Sequence, residues 1–296
     1  VDGTGTAVRT LLGTATDRLA AAGVPSPHAD AEVLLAHALG VERSRLGVLA
    51  ALGRDVEPAV AARFAALLEE RADRVPLQHL TGRAGFRELD LAVGPGVFVP
   101  RPETEGVAQL AVDEARRLAA QGGRPVVVDL CTGSGAIALA VAAEVPGARV
   151  HAVELDPLAH AWAQRNAEET AARLGAQVDL RLGDAATAFG DLDGGVDVVV
   201  SNPPYVPPGA VPQEREVAEH DPEVALYGGG DDGLEVPRRV VAAAARLLRA
   251  GGLVVVEHAE VQEAGARRMF DAASWADVES HRDLTGRPRS TTARRR

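Results

Sequence analysis

From Arg124 onward, short apolar runs alternate with helical runs, and this alternation constrains the fold more than any other feature of the chain. Strand-like runs stand at residues 125–130, 149–155, 178–182, 196–201 and 252–258. Helical periodicity fills the gaps, most clearly over residues 157–174 and 234–249. Strands that alternate with helices pair in parallel and are covered on both faces, so the pattern predicts an α/β unit with a mostly parallel sheet. Residues 276–296 offer two further strands at a sheet edge.

Upstream the texture differs. Residues 8–74 read as helices only: Leu11, Leu12, Ala15, Leu19 and Ala22 recur at helical spacing, as do Val33, Leu34, Ala38 and Leu39. Pro25 and Pro27 separate these two helices, and a third run over 58–74 carries Phe64, Leu67 and Leu68. Between 75 and 105, glycines, prolines and β-formers replace the Ala-rich helix. Phe86, Leu89, Leu91 and Val93 alternate as in a hairpin, followed by the turn signal Gly94-Pro95-Gly96. At 296 residues the chain is long enough for two cores. The expected organisation is a small helical domain over 1–75, a β-hairpin linker over 76–105 and the α/β domain over 106–296.

Charge and cysteine content narrow the setting. The formal net charge is −11, and all 31 basic residues are arginine, which alongside abundant Ala and Gly reads as a genomic bias. A grip on nucleic acid draws on a basic surface, so direct nucleic-acid binding is not expected, and a basic protein partner suits the balance better. Cys131 is the only cysteine, which excludes an intramolecular disulfide and suits a reducing compartment. No apolar run reaches a membrane span, and residues 1–16 lack the features of a signal peptide, so a cytoplasmic protein without membrane attachment is expected. The eight histidines show no metal-ligand spacing, no metal site is expected, and Arg294, Arg295 and Arg296 read as a solvated tail.

The first strand of the α/β region runs into a glycine loop and then a helix, in "VVVDLCTGSGAIALAVA". Gly133 and Gly135 permit a sharp turn and close approach of a ligand, and the helix that follows offers free amides to a carboxylate or phosphate. Asp129, near the strand end, is placed to accept from a ligand ammonium group. At the end of the next strand, Glu154 is placed to accept both hydroxyls of a ribose, with a solvated strand end as the alternative. After the third strand, Asp184 is either an acceptor for an adenine amino group or a turn residue.

The fourth strand ends in "VVVSNPPYVPP". In an open α/β sheet ligands lie outside the carboxyl ends of the strands, so Asn202-Pro203-Pro204-Tyr205 faces whatever the glycine loop holds. Two successive prolines fix the backbone and remove two donors. The Asn202 side-chain oxygen and the Pro203 carbonyl then form a pair of acceptors matched to the two protons of a planar NH₂ group, against which Tyr205 packs. Such a corner catalyses by alignment and by polarising the nitrogen, without a metal or a strong base.

The order of these motifs resembles the class I methyltransferase fold that binds S-adenosylmethionine. That resemblance implies cofactor contacts from Asp129, from Cys131, Thr132, Gly133, Ser134 and Gly135, and from Glu154, Asp184 and Asn202; Ala185 stands where relatives often place a large residue against the adenine. Asn-Pro-Pro-Tyr resembles the signature of amino methyltransferases that act on adenine, guanine or glutamine amides. Three further stretches, "HLTGRAGFRELDLAV", "GVFVPRPETE" and "HDPEVALYGGGDDGLE", resemble the HemK/PrmC family of protein-glutamine N5-methyltransferases. Membership implies transfer of a methyl group to the glutamine of the Gly-Gly-Gln loop in class-1 peptide chain release factors. Asn202, Pro203 and Tyr205 would be catalytic, and Pro204 would join them in binding the substrate. Arg101, Glu103 and Glu105 either line the pocket or serve the start of a helix, and the N-terminal helices are either a docking surface or a stabilising cap. The rival readings are a DNA adenine or RNA guanine amino methyltransferase and a non-catalytic adaptor.

Overall fold

The structure is a computed structural model and describes residues 5–212 and 214–296. It contains two compact units, one reaching Arg83 and also including Pro212–His220, the other comprising Ala84–Val211 and Asp221–Arg296.

The first unit is helical: α1 (Val8–Ala21), α2 (Pro27–Leu39), α3 (Arg43–Ala51), α4 (Pro58–Ala72) and α5 (Leu77–Thr81). Their apolar stripes meet around Leu19, Leu34, Leu35, Leu46 and Phe64. Pro27 and Pro58 stand in the first turns of α2 and α4, where a missing N–H costs nothing, and Gly40 closes α2 in the left-handed conformation. Two features depart from a purely helical expectation. A two-residue antiparallel ladder joins β1 (Thr6–Ala7) to β2 (Asp55–Val56), a pairing too short to leave a periodic signal. α3 buries only Leu46, so its amphipathic pattern is faint.

The second unit opens with the hairpin β3 (Arg83–Phe86) and β4 (Leu89–Ala92), then α6 (Thr104–Ala120). The hairpin expected within 76–105 forms as β3 and β4, and its apolar residues are packed. α5 lies in the helical unit, while Phe86, Leu89 and Leu91 sink into the main α/β core and Val93, Val97 and Val99 pack on Trp162. These side chains are too apolar to stay in a solvated connector. Beyond α6 come β5 (Val126–Leu130), α7 (Ala136–Glu144), β6 (Arg149–Glu154), α8 (Pro157–Leu174), β7 (Val178–Leu182) and β8 (Val196–Ser201). The remaining elements are α9 (Arg215–His220), α10 (Glu223–Leu226), α11 (Glu235–Leu247), β9 (Leu248–Glu257), α12 (Glu263–Arg267), β10 (Trp275–Arg282) and β11 (Pro288–Arg295).

Seven strands form one sheet in the order β10-β11-β9-β8-β5-β6-β7, with β5 to β9 parallel and β10 and β11 antiparallel. Alternate residues of β5 serve opposite faces: Val127 packs with Ile137 and Leu139 of α7, and Val128 with Val240 and Leu247 of α11. The chain leaves β5 for β6 and β7 on one side and adds β8 and β9 on the other, so the topological switch lies between β5 and β8. The arginines near the carboxyl end are not a solvated tail. Arg294 pairs with Glu114 of α6 at 2.8 Å, and Arg295 and Arg296 donate to the carbonyls of Ala245 and Trp275. β11 lies between β10 and β9, and the long guanidinium stems reach neighbouring acceptors from there. No helix among the described residues is long and apolar enough to cross a membrane.

Candidate active site

The site grows from one register pair. Leu130 of β5 stands opposite Ser201 of β8, and Ser201 Oγ donates to the Leu130 carbonyl at 2.5 Å. The next residues, Cys131 and Asn202, therefore leave the sheet side by side at the switch point. The glycine loop and the Asn-Pro-Pro-Tyr segment flank one crevice because the two strands end in register.

The glycine loop turns through three left-handed residues, Cys131, Gly133 and Gly135. Gly133 is the open one: a Cβ there would meet no atom within 4 Å, so its backbone is approachable. Thr132 N donates to Val153 O on β6, and Asn166 of α8 donates to Ser134 O at 2.9 Å. Asn166 also exchanges two hydrogen bonds with Ala92, N–H to Oδ1 at 2.7 Å and Nδ2 to O at 3.0 Å, which ties the loop to β4. Cys131 is half-buried, and burial together with the carboxylates of Glu154 and Asp129 pushes its thiol up, leaving it unsuited to act as a nucleophile.

Asp129 is fully buried. Its Oδ2 accepts from Thr132 Oγ1 at 2.6 Å and from Ala138 N at 3.2 Å, while Oδ1 has no hydrogen-bond partner. Burial pushes the carboxyl up to about 7, against the opposing hydrogen bonds from Thr132 and Ala138. An orphaned buried acceptor is costly unless a ligand donor completes it. Asp129 therefore fits the ammonium role expected of it, and the open Gly133 fits a loop that a cofactor lies against.

Glu154 accepts three backbone amides: Gly133 on Oε2, and Leu155 and Asp156 on Oε1. It thereby shapes the glycine loop, and each oxygen retains lone-pair capacity for a hydroxyl. Asp184 accepts from Ala186 N and from Arg239 Nη2 at 2.6 Å, so its carboxylate is committed at the surface. Ala185 packs beneath it on the α11 side of the sheet. Leu155 and Leu182, exposed at the ends of β6 and β7, bring apolar surface to the same rim.

At the other wall, Asn202 Nδ2 donates to Thr104 Oγ1 at 3.2 Å. The donor end of the amide is thus committed to the protein, which leaves Oδ1 to meet a ligand. Tyr205 is tied at both ends: its hydroxyl donates to Glu257 Oε1 at 3.2 Å and its carbonyl accepts from Gln262 Nε2 at 2.7 Å. Burial and the charge of Glu257 push the phenol up, so it stays protonated. The glycine-rich segment downstream lies on this corner: Val206 N donates to Leu226 O and Gly228 N to Val206 O, and Gln262 also donates to Asp232 O at 2.8 Å.

Arg101 and Glu105 flank the start of α6 and have separate partners. Glu105 accepts from Arg87 N at 3.0 Å, bracing the β3–β4 turn, while Arg101 pairs with buried Asp221 at 2.7 Å and lies over the Phe98 ring. Sequence reasoning missed Thr104, Asn166, Glu257 and Gln262. Asn166 was signalled, because it falls on the buried stripe of α8 with Ala159, Ala163 and Thr170, where a polar side chain must find partners.

The PrmC N-terminal domain family matches residues 10–82 and the methyltransferase small domain family residues 88–217. A release factor glutamine methyltransferase of Streptomyces coelicolor is 52% identical over 95% of this chain and 95% of its own length. One from Mycolicibacterium smegmatis is 49% identical over 98% of both chains. The solved hMettl16 catalytic domain in complex with MAT2A 3'UTR hairpin 6 is 15% identical, with a TM-score of 0.51, covering 81% of this chain and 84% of that one. At that identity the likeness concerns the fold alone.

Proposed function

The chain belongs to the release factor glutamine methyltransferase family, and from that premise we propose that it methylates the side-chain amide N5 of the glutamine in the Gly-Gly-Gln loop of class-1 peptide chain release factors, with S-adenosylmethionine as donor. The observation that carries the site assignment is the register of Leu130 with Ser201, which sets a loop suited to a cofactor beside a corner suited to a carboxamide.

When bound, S-adenosylmethionine supplies a methyl group already activated by its positive sulfur. Asp129 Oδ1 would accept from its ammonium group, and the open Gly133 backbone would give it room. Glu154 would receive the ribose hydroxyls, and Asp184, which accepts from Arg239, would stand on the adenine side. Asn202 Oδ1 and the Pro203 carbonyl receive the two protons of the glutamine NH₂ and hold its nitrogen in line for attack. As the N–C bond forms and the C–S bond breaks with its electron pair left on sulfur, both acceptors would strengthen their bonds to the nitrogen as it becomes positive, stabilising the transition state more than the ground state. The surplus proton would leave along one of these hydrogen bonds to solvent. Pro204 keeps the corner rigid, and the Tyr205 ring, anchored through its hydroxyl, packs on the carboxamide plane. Alignment of this kind is worth roughly 7–11 kcal/mol at best.

The helical unit serves as the docking surface for the release factor, and the enzyme works in the cytoplasm. Incubation with labelled donor and either release factor or nucleic acid tests the substrate. Label on the release factor is expected, and label on nucleic acid alone would replace this reading with an adenine or guanine methyltransferase.

A further inference from the structure

We propose that Thr104 and Glu257 are positioning residues that fix which end of the Asn202 amide faces the substrate nitrogen. The inference rests on the role given above to Asn202 and deepens it.

An asparagine amide has two ends of similar shape and opposite hydrogen-bonding sense. With Oδ1 toward the substrate NH₂, an acceptor meets a donor; with Nδ2 there, two donors face each other. Something in the protein must choose. Thr104, the first residue of α6, is 4% exposed, and its Oγ1 accepts from Asn202 Nδ2. A hydroxyl that accepts in this way still has one proton to place. Glu257, the last residue of β9, is 1% exposed and accepts the Tyr205 hydroxyl on Oε1. Its Oε2 has no hydrogen-bond partner, and the Thr104 hydroxyl is the neighbour that most favours its charged form. An ionised carboxylate only accepts. Asn202 Nδ2 donates to Thr104 and Tyr205 to Glu257, and an ionised Glu257 offers its unpaired Oε2 as the acceptor toward which the remaining Thr104 proton would turn. With the Thr104 proton turned to that acceptor, reversing the amide would set its oxygen against the threonine oxygen and leave a buried polar mismatch.

The acid performs this task only in its ionised form. Burial pushes it up to about 7, while Thr104, Arg289 of β11 and Tyr205 draw it down and Glu103 raises it. Arg289 is itself held by Asp283 at 3.3 Å, so it supplies charge to the acid without a direct ion pair. Protonation of Glu257 would give it a donor of its own and free Thr104 to point either way.

Three variants of the full-length protein test this: Thr104→Val, Thr104→Ser and Glu257→Gln. Thr104→Val should lower kcat for release-factor methylation about 10- to 100-fold, leaving KM for the release factor and cofactor affinity within about threefold, because alignment and not binding is lost. Thr104→Ser should recover most of that loss. At saturating substrates the wild-type rate should rise as pH passes through about 7, and Glu257→Gln should flatten the rise. A readout independent of catalysis is the NMR signal of the Asn202 side-chain NH₂, whose protons should exchange slowly in the wild type and rapidly in Thr104→Val. It separates failure of this inference from failure of the substrate assignment. The inference is overturned if Thr104→Val keeps the wild-type rate, or loses cofactor binding in parallel with rate. Should that variant not fold, fast exchange of the Asn202 NH₂ in the wild type overturns it alone.

Discussion

A Cβ placed on Gly228 would stand 2.6 Å from the Pro204 carbonyl oxygen and 2.8 Å from Tyr205 Cα, and closer still, at 1.9 Å, to the Gly233 carbonyl oxygen. Gly228 and Pro204 therefore touch backbone to backbone, and the glycine-rich segment after α10 is the seat on which the Asn-Pro-Pro-Tyr corner rests. Gly233 meets the Tyr205 carbonyl in the same manner. Gly228→Ala should displace the corner by enough to lower kcat on the order of 100-fold, since misplacement by about 1 Å has effects of that size. Cofactor affinity, set on the β5 side, should change little. Titration calorimetry paired with steady-state rates checks both halves.

Asp129 offers a prediction with a defined sign. Its carboxyl lies at about 7 in the free protein because burial disfavours the charge, and only the ionised form can receive an ammonium group as a salt partner. Cofactor affinity should therefore rise as pH increases from about 6 to 8 and level off above that. Asp129→Asn should weaken binding by about 10- to 100-fold at pH 8 and remove most of the pH dependence, since a neutral amide neither ionises nor supplies the charge. A pH series of calorimetric titrations measures it.

Much of this architecture was legible in the sequence. The five parallel strands could be read because each is a short apolar run with a strong turn after it, and α8 because Asp156 caps it, Pro157 starts it and Gly175 ends it. Asn202 and the glycine loop were visible because unusual residues stand at strand ends, where a doubly wound sheet places ligands. Thr104 and Glu257 were not, although a signal existed. Glu257 closes an apolar strand as Glu154 does, and Asp129 stands one residue before the end of another, so all three acids lie at the carboxyl ends of parallel strands. What sequence spacing could not supply was the pairing across the chain, Thr104 with Asn202 at a separation of 98 residues and Tyr205 with Glu257 at 52. The division of the chain was also hidden. Residues 212–220 join the helical unit because Glu216 of α9 pairs with Arg71 and Arg74 of that unit, at 2.9 and 2.6 Å. Burial alone would push Glu216 up, yet the Arg74 and Arg71 guanidiniums hold it at about 2.

Asn166 links the glycine loop to the hairpin, and its loss should be felt in stability before chemistry. Asn166→Ala strands the Ala92 N–H and the carbonyls of Ala92 and Ser134 inside the protein. The cost should be about 2–4 kcal/mol in urea or guanidinium unfolding. Asn166→Asp should be little better, because a carboxylate cannot donate to either carbonyl.

Glu114 makes acid stability a local question. Arg117 and then Arg294 hold it at about 2, well below its ordinary 4.5. A lowered folded-state value contributes stability that is complete above the unfolded value and disappears as pH falls toward 2. Glu114→Gln should therefore destabilise the protein on the order of 2 kcal/mol at pH 7 and by much less near pH 3. Thermal unfolding of both proteins across that range checks the sign.

In the proposed mechanism Asn202 and Pro203 hold a glutamine amide beside a cofactor loop. Mass spectrometry of a class-1 release factor, after incubation with S-adenosylmethionine and either the wild type or Asn202→Ala, tests it most directly. One added methyl on the glutamine of the Gly-Gly-Gln loop is expected with the wild type, at a rate lower by at least about 100-fold with the variant. A methyl found on any other residue, or an Asn202→Ala protein that modifies the glutamine at the wild-type rate, would rule out this role for Asn202 and Pro203.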